Sequence, residues 1–147
     1  MLRTFLKFLG GLVLALLSSL AISTPATAAD QIKVVYHMAD GIEQASRGLA
    51  NIRNELRAEP TTQITVVALG DGIQFLLKGA KERNGIPFDA AVAALAAQGV
   101  EFRICNNTLT AHDVPLSEVL PEAKIVPAGV VEVVRLQAKE GYVYFRP

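Results

Sequence analysis

The stretch VEFRIC at residues 100–105 alternates apolar and polar side chains and ends in Cys105, the only cysteine of the 147-residue chain. Such alternation is typical of a β-strand. Glu101, Arg103 and Cys105 then share one face of the strand, and the apolar residues share the other. A central parallel strand is usually apolar on both faces. One face of this strand is therefore either partly uncovered or satisfied by an ion pair. A subunit interface would resolve this, so the polar stripe points to a homo-oligomer.

Extended and helical segments alternate on both sides of this strand. The patterns predict strands at 32–36, 63–69, 100–104, 123–126 and 142–145, helices at 43–59, 73–81, 89–98 and 130–139, and an irregular segment at 106–121 with a helical turn or two near 116–120. The segment 130–139 is ambiguous, because its valines favour a strand. Pro127 before it, Gly141 after it and its length favour the helix that we predict.

Strands that alternate with helices predict right-handed βαβ units and an α/β fold. Five strands fit a flavodoxin-like, doubly wound parallel sheet with the strand order 2-1-3-4-5. In that order strands one and three are neighbours, and the switch point where ligands gather lies between their carboxyl ends. His37 and Cys105 stand at these two ends, so the order predicts that they lie close together.

The first residues have the pattern of a secretory signal peptide, which we assign to Met1–Ala28. Two basic residues come first, an apolar run follows at 10–22, and the small residues ATA at 26–28 resemble a cleavage site. An uncleaved N-terminal anchor is the alternative. We predict cleavage, a single domain at residues 29–147, no stable membrane anchor afterwards, and a periplasmic or secreted location. N-terminal sequencing of the native protein checks this, because the mature chain should begin at residue 29.

Charge and ligand spacing argue against a nucleic-acid partner and against a metal site. The chain carries 14 basic and 14 acidic residues with no basic cluster, so nothing indicates a nucleic-acid partner. A single cysteine cannot form an intrachain disulfide. Cys105, His37 and His112 could in principle bind a metal, but they contain no closely spaced ligand pair. We therefore predict neither a metal nor another cofactor.

The strand-then-cysteine motif, continued by Asn106, Asn107 and Thr108, resembles that of the DsrE/DsrF-like family. The segments KIVPAGVVE at 124–132 and GYVYFRP at 141–147 are similar to the tail of the family's single-chain branch. The resemblance implies a DsrE-like five-stranded α/β fold and assembly as trimers or hexamers. It also implies that some members carry sulfur as a persulfide on the matching cysteine.

The chain departs from the sulfur-relay subunits of that family in two respects. Their basic stretch after the cysteine is replaced here by Thr110–Asp113, which puts a partner contact through this stretch in doubt. Those subunits are also cytoplasmic, whereas this chain carries an export signal, so a cytoplasmic acceptor does not fit.

Two functions follow. The first is a sulfur carrier or sulfurtransferase-like protein that holds sulfane sulfur on Cys105, with an unidentified donor and acceptor. The backbone N–H groups of residues 106–108 would hold the negative charge that develops on the sulfur. His37 would orient the thiol of Cys105 or act as its base. His112 would fold back over Cys105 or stay solvated. We then expect an accessible thiol with a lowered pKa and a homotrimer or homohexamer. The second function is a non-catalytic oligomeric binding or assembly module with a structural cysteine.

Overall fold

The structure is a computed structural model that describes residues 31–147. The signal peptide predicted at Met1–Ala28 lies outside the described residues and stays a prediction. Across the described range, none of the helices combines the length and the apolar character that crossing a bilayer requires.

Strands and helices alternate along the described chain. Their bounds are β1 (Lys33–Met38), α1 (Ile42–Ala58), β2 (Gln63–Ala68), α2 (Phe88–Ala96), β3 (Glu101–Cys105), α3 (Asn106–Ala111), β4 (Ala123–Val126), α4 (Gly129–Glu140) and β5 (Val143–Phe145), with 3-10 helices at Gly70–Leu76 and Leu116–Glu118. The helix predicted at 130–139 is confirmed as α4, and it ends at Gly141 in the left-handed conformation.

Two segments differ from the prediction. The helix expected at 73–81 is a 3-10 helix that begins earlier, at Gly70, and ends at Leu76. The segment expected to be irregular after Cys105 begins with α3. Asparagine and threonine are weak helix formers, but Leu109 is buried in the core. Tertiary packing of this side chain stabilises a turn of helix that the local propensity does not predict.

The five strands form one entirely parallel sheet with the order β4-β3-β2-β1-β5. The predicted doubly wound, five-stranded parallel sheet is confirmed, but the strand order 2-1-3-4-5 is wrong. Each of the first three crossovers places the next strand on the same side of its predecessor. Only the crossover through α4 reverses direction, and it brings β5 to the free edge of β1. The helices that follow the neighbouring strands β3 and β4 lie on opposite faces of the sheet.

Helices cover the two faces of the sheet unequally. Helices α1, α2 and α3 lie on one face and bury the larger part of the core, which includes Phe75, Phe88 and Phe102. On α1, residues spaced three and four apart form the buried stripe. Helix α4 lies alone on the other face, over Val35 and Val67. We call these the three-helix face and the α4 face.

The polar side of β3 faces α4, and an ion pair explains it. Arg103 donates to Glu101 Oε2 at 2.7 Å and pairs with Glu132 of α4. Of the alternatives open from the sequence, the ion pair is confirmed for this strand. The alternation in residues 100–105 consequently no longer supports a subunit interface.

Candidate functional site

Cys105 lies at the carboxyl end of β3 and is the N-cap residue of α3. Its side chain points to the α4 face, like that of Arg103 two residues earlier. The residue is only 5% exposed. Our expectation of an openly accessible thiol is therefore wrong for this conformation, in which Cys105 is covered by the start of α4.

The first residue of α4 makes this cover possible because it has no side chain. A Cβ atom added to Gly129 would lie 3.1 Å from Cys105 Cβ and 2.9 Å from Leu69 Cδ2. Such contacts are tighter than packed side chains normally allow. The absence of a side chain at residue 129 thus lets the backbone at the start of α4 approach the cysteine.

Hydrogen-bond donors around the sulfur favour its ionised form. Burial opposes ionisation of Cys105, but the nearby Thr108 hydroxyl and the backbone N–H groups of Gly129, Thr108 and Asn107 together hold the pKa of the thiol below its ordinary value. The N–H of Asn107 also donates to the carbonyl of Pro127 at 3.2 Å, so it is less free to stabilise the sulfur. A thiolate is the nucleophilic form of cysteine, and this arrangement increases its population.

Thr108 occupies a central position among these donors. Its Oγ1 accepts a hydrogen bond from the backbone N–H of Gly70 at 3.1 Å. Since the oxygen already accepts this bond, the hydroxyl proton remains available to the sulfur of Cys105. Thr108 therefore links the turn after β2 to the thiol.

His37 does not lie beside Cys105. It is inside β1, paired in register with Val67 of β2, which in turn pairs with Arg103 of β3. Two strand spacings put β1 and β3 roughly 10 Å apart. The expected juxtaposition of the two residues is wrong, because it depended on the wrong strand order. A role for His37 as a base for Cys105 stays a prediction with no contact to support it.

His37 belongs instead to a cluster at the end of β1 and β5. Its Nδ1 lies 2.8 Å from the hydroxyl of Tyr144, and Arg146 forms a bidentate ion pair with Asp40 nearby. Burial lowers the pKa of His37, and the positive charge of Arg146 lowers it further, while Asp40 opposes the shift. The surroundings of His37 thus favour the neutral imidazole.

The remaining predicted residues lie on or after α3. Asn106 is half-buried and Asn107 exposed at its start, whereas His112 is exposed at its C-terminal end, with its backbone N–H bonded to Thr108 O. The body of α3 separates His112 from Cys105, which agrees with the solvated alternative. Among residues 31–147, no group of three histidine, cysteine or acidic side chains is placed to hold a metal ion.

A surface cavity of about 510 Å³ lies away from the cysteine. It is lined by the first turns of α1, including Glu43 and Arg47, and by Glu82–Asn84. Helix α1 covers the three-helix face, whereas Cys105 points to the α4 face. The cavity and the thiol are therefore separate features of the molecule.

Sequence analysis missed Gly129, and it did not identify Glu132 as the partner of Arg103. A usable signal was present, because Gly129 opens a predicted helix directly after a strand, where a helix N-terminus faces the carboxyl edge of the sheet. The predicted order already placed β4 beside β3, but the approach of the Gly129 backbone to Cys105 is visible only in the packed structure.

Comparisons with known proteins agree with this architecture. The DsrE/DsrF-like family profile matches residues 15–147. The fold is similar to that of MTH1491, a protein of unknown function from Methanobacterium thermoautotrophicum, with 30% identity and a TM-score of 0.70 over 80% of this chain and 100% of that chain. It is also similar to the ychN protein from E. coli, with 17% identity and a TM-score of 0.65 over 80% and 99% of the two chains. A search of curated proteins found no similar sequence. The extent of the family match and the parallel five-stranded fold show that this chain belongs to the DsrE/DsrF-like family.

Proposed function

We propose that the protein is a sulfur carrier that holds sulfane sulfur as a persulfide on Cys105. The observation that supports this most is the set of donors around the sulfur, in which Thr108 and the backbone of Gly129 favour a thiolate. The family, whose members are generally sulfur-relay proteins, supports the same chemistry. A purely structural cysteine would have no need of donors that stabilise its anion.

The loading step conserves atoms and electrons without an added oxidant. The thiolate of Cys105 attacks the sulfane sulfur of a donor, one S–S bond forms, and the S–S bond of the donor breaks. Its electron pair leaves with the remaining donor sulfur as an anion. Cys105 then carries a persulfide anion, which the same hydrogen-bond donors stabilise. Attack by an acceptor thiolate on the outer sulfur returns Cys105 to its starting state.

We expect the mature protein to gain the mass of one sulfur atom after exposure to inorganic polysulfide, because a small anion suits a thiol that is only 5% exposed. Intact-mass analysis measures this gain, and a reductant should reverse it. The variant Cys105→Ser, which removes the only thiol of the chain, should gain nothing under the same conditions. An unchanged mass for the wild-type protein across a range of pH and polysulfide concentrations would rule out the carrier function.

The alternative is a non-catalytic binding or assembly module with a structural cysteine. The low exposure of Cys105 favours it, because buried thiols usually act as small apolar side chains. Native-state alkylation separates the two functions. A carrier thiol reacts in the folded protein, with a rate that follows its ionisation, whereas a structural thiol reacts only once the protein unfolds.

We also propose that the chain forms a homotrimer or homohexamer. Exposed apolar side chains on the outer surface of α4 support self-association, since Val130, Val131 and Val134 are 59%, 61% and 61% exposed. Light scattering of the mature protein measures its mass in solution. We expect Val131→Glu to reduce that mass, and Gln98→Glu, an exposed position just after α2 on the three-helix face, to leave it unchanged. A wild-type monomer at micromolar concentration would disprove the assembly.

A further inference from the structure

A chain of charged side chains connects β3 to α4 on the α4 face. Arg103 pairs with Glu101 on its own strand and with Glu132 on α4. Glu132 is 8% exposed and also accepts hydrogen bonds from Arg135, at 2.8 and 3.0 Å. A buried carboxylate with this many donors is held firmly in one position.

Each residue of this ion pair lies within three positions along the chain of one side of the contact between Cys105 and Gly129. Arg103 precedes Cys105 by two residues on the same face of β3, about 7 Å along the strand. Glu132 follows Gly129 by three residues on the buried side of α4, about 4.5 Å along the helix axis. Because a helical turn is rigid over this distance, a fixed Glu132 also fixes the backbone at the start of α4.

We propose that Arg103 and Glu132 are positioning residues for Cys105, since their ion pair holds the start of α4 where the backbone of Gly129 packs against Cys105. This inference rests on the proposed function, and it assigns a role to two residues that do not touch the sulfur. Stability alone is a weak explanation for the pair, because a buried ion pair often contributes little more than apolar residues of similar volume. The close approach of Gly129 to Cys105 needs a fixed helix, and the ion pair supplies the constraint.

The variant Glu132→Ala distinguishes positioning from a direct charge effect, because the two predict opposite signs. Glu132 is negative, so if it acted only through its charge, its removal would stabilise the thiolate and lower the pKa of Cys105. If it positions α4, its removal lets Gly129 move away from the sulfur, and the pKa rises. We expect a rise of about half to one unit, which reduces the thiolate fraction below the pKa by about three- to tenfold.

The pH dependence of alkylation by a small reagent, or the ultraviolet absorbance of the thiolate, measures this shift. Glu132→Gln is a second variant of nearly native shape, for which we expect the same sign. The matched control is Glu140→Gln, which removes the other partner of Arg135 at the far end of α4 and leaves the pair between Arg103 and Glu132 intact. Its thiol should titrate as in the wild type.

A lowered or unchanged pKa in the folded Glu132 variants would overturn the positioning role. This test is independent of the test of the carrier function, because titration of the thiol does not require sulfur uptake. If the wild-type protein takes up no sulfur but the pKa still rises in the variants, the carrier function fails and the positioning of the thiol stands.

Discussion

Replacing Gly72 by alanine is expected to destabilise the protein by more than about 3 kcal/mol. The added Cβ would lie 2.1 Å from the carbonyl oxygen of Met38 and 2.6 Å from the backbone nitrogen of Ala39. That carbonyl accepts a hydrogen bond from Leu69 N–H at 3.0 Å. Because the obstacle is hydrogen-bonded backbone at the end of β1, the clash is relieved only by moving the turn after β2. Chemical denaturation of the two proteins measures the difference.

The variant Gly48→Ala is the matched control for this prediction. There the added Cβ would come within 2.0 Å of Met38 Cε, the far end of a flexible side chain. Methionine can change its rotamer, and alanine favours the helix over glycine by about 1 kcal/mol. We expect a loss of less than about 2 kcal/mol. If Gly72→Ala and Gly48→Ala lose the same free energy of unfolding, the clash with the backbone at Gly72 is not the cause of the destabilisation.

The second prediction with a large effect is that Thr108→Val slows alkylation of Cys105 near neutral pH by about tenfold, through a rise of about one pKa unit. Valine has nearly the shape of threonine but lacks the hydroxyl that favours the thiolate and accepts a hydrogen bond from Gly70 N–H. Without this hydroxyl, fewer groups offset the effect of burial, which opposes ionisation of the thiol. The wild-type rate should reach its plateau at a lower pH than that of an ordinary thiol, and the variant should need a higher pH.

Two further variants test whether the hydroxyl of Thr108 causes this change in rate. Thr108→Ser keeps the hydroxyl and should restore most of the wild-type pH profile, whereas Thr110→Val removes an exposed hydroxyl from the same helix and should change nothing. If Thr108→Val reacts as fast as the wild type at every pH, the hydroxyl does not stabilise the thiolate. Loss of the Gly70 hydrogen bond alone would reduce the stability by about 1–3 kcal/mol without moving the pH profile.

Local patterns predicted the secondary structure well wherever burial has a simple period. The alternation at residues 100–105 predicts β3, and the spacing of apolar residues in 43–59 predicts α1. The prediction failed at α3, where weak helix formers are held by the packing of Leu109. It failed again at the 3-10 helix Gly70–Leu76, where the backbone contact of Gly72 with Met38 shapes the turn. Both exceptions depend on contacts with distant parts of the chain.

The sequence by itself determined the α/β class, the parallel sheet and the place of Cys105 at the end of a strand, because these follow from hydrophobic periodicity and from the order of elements. Only the tertiary structure decided what surrounds the thiol. Which strands become neighbours depends on how each helix packs across the sheet. The free energy of this packing comes from contacts between distant parts of the chain, so no short motif encodes it. That choice separated His37 from Cys105 by a strand. The predicted order already placed β4 beside β3, but only the packing of α4 on the sheet brings the backbone of Gly129 against Cys105.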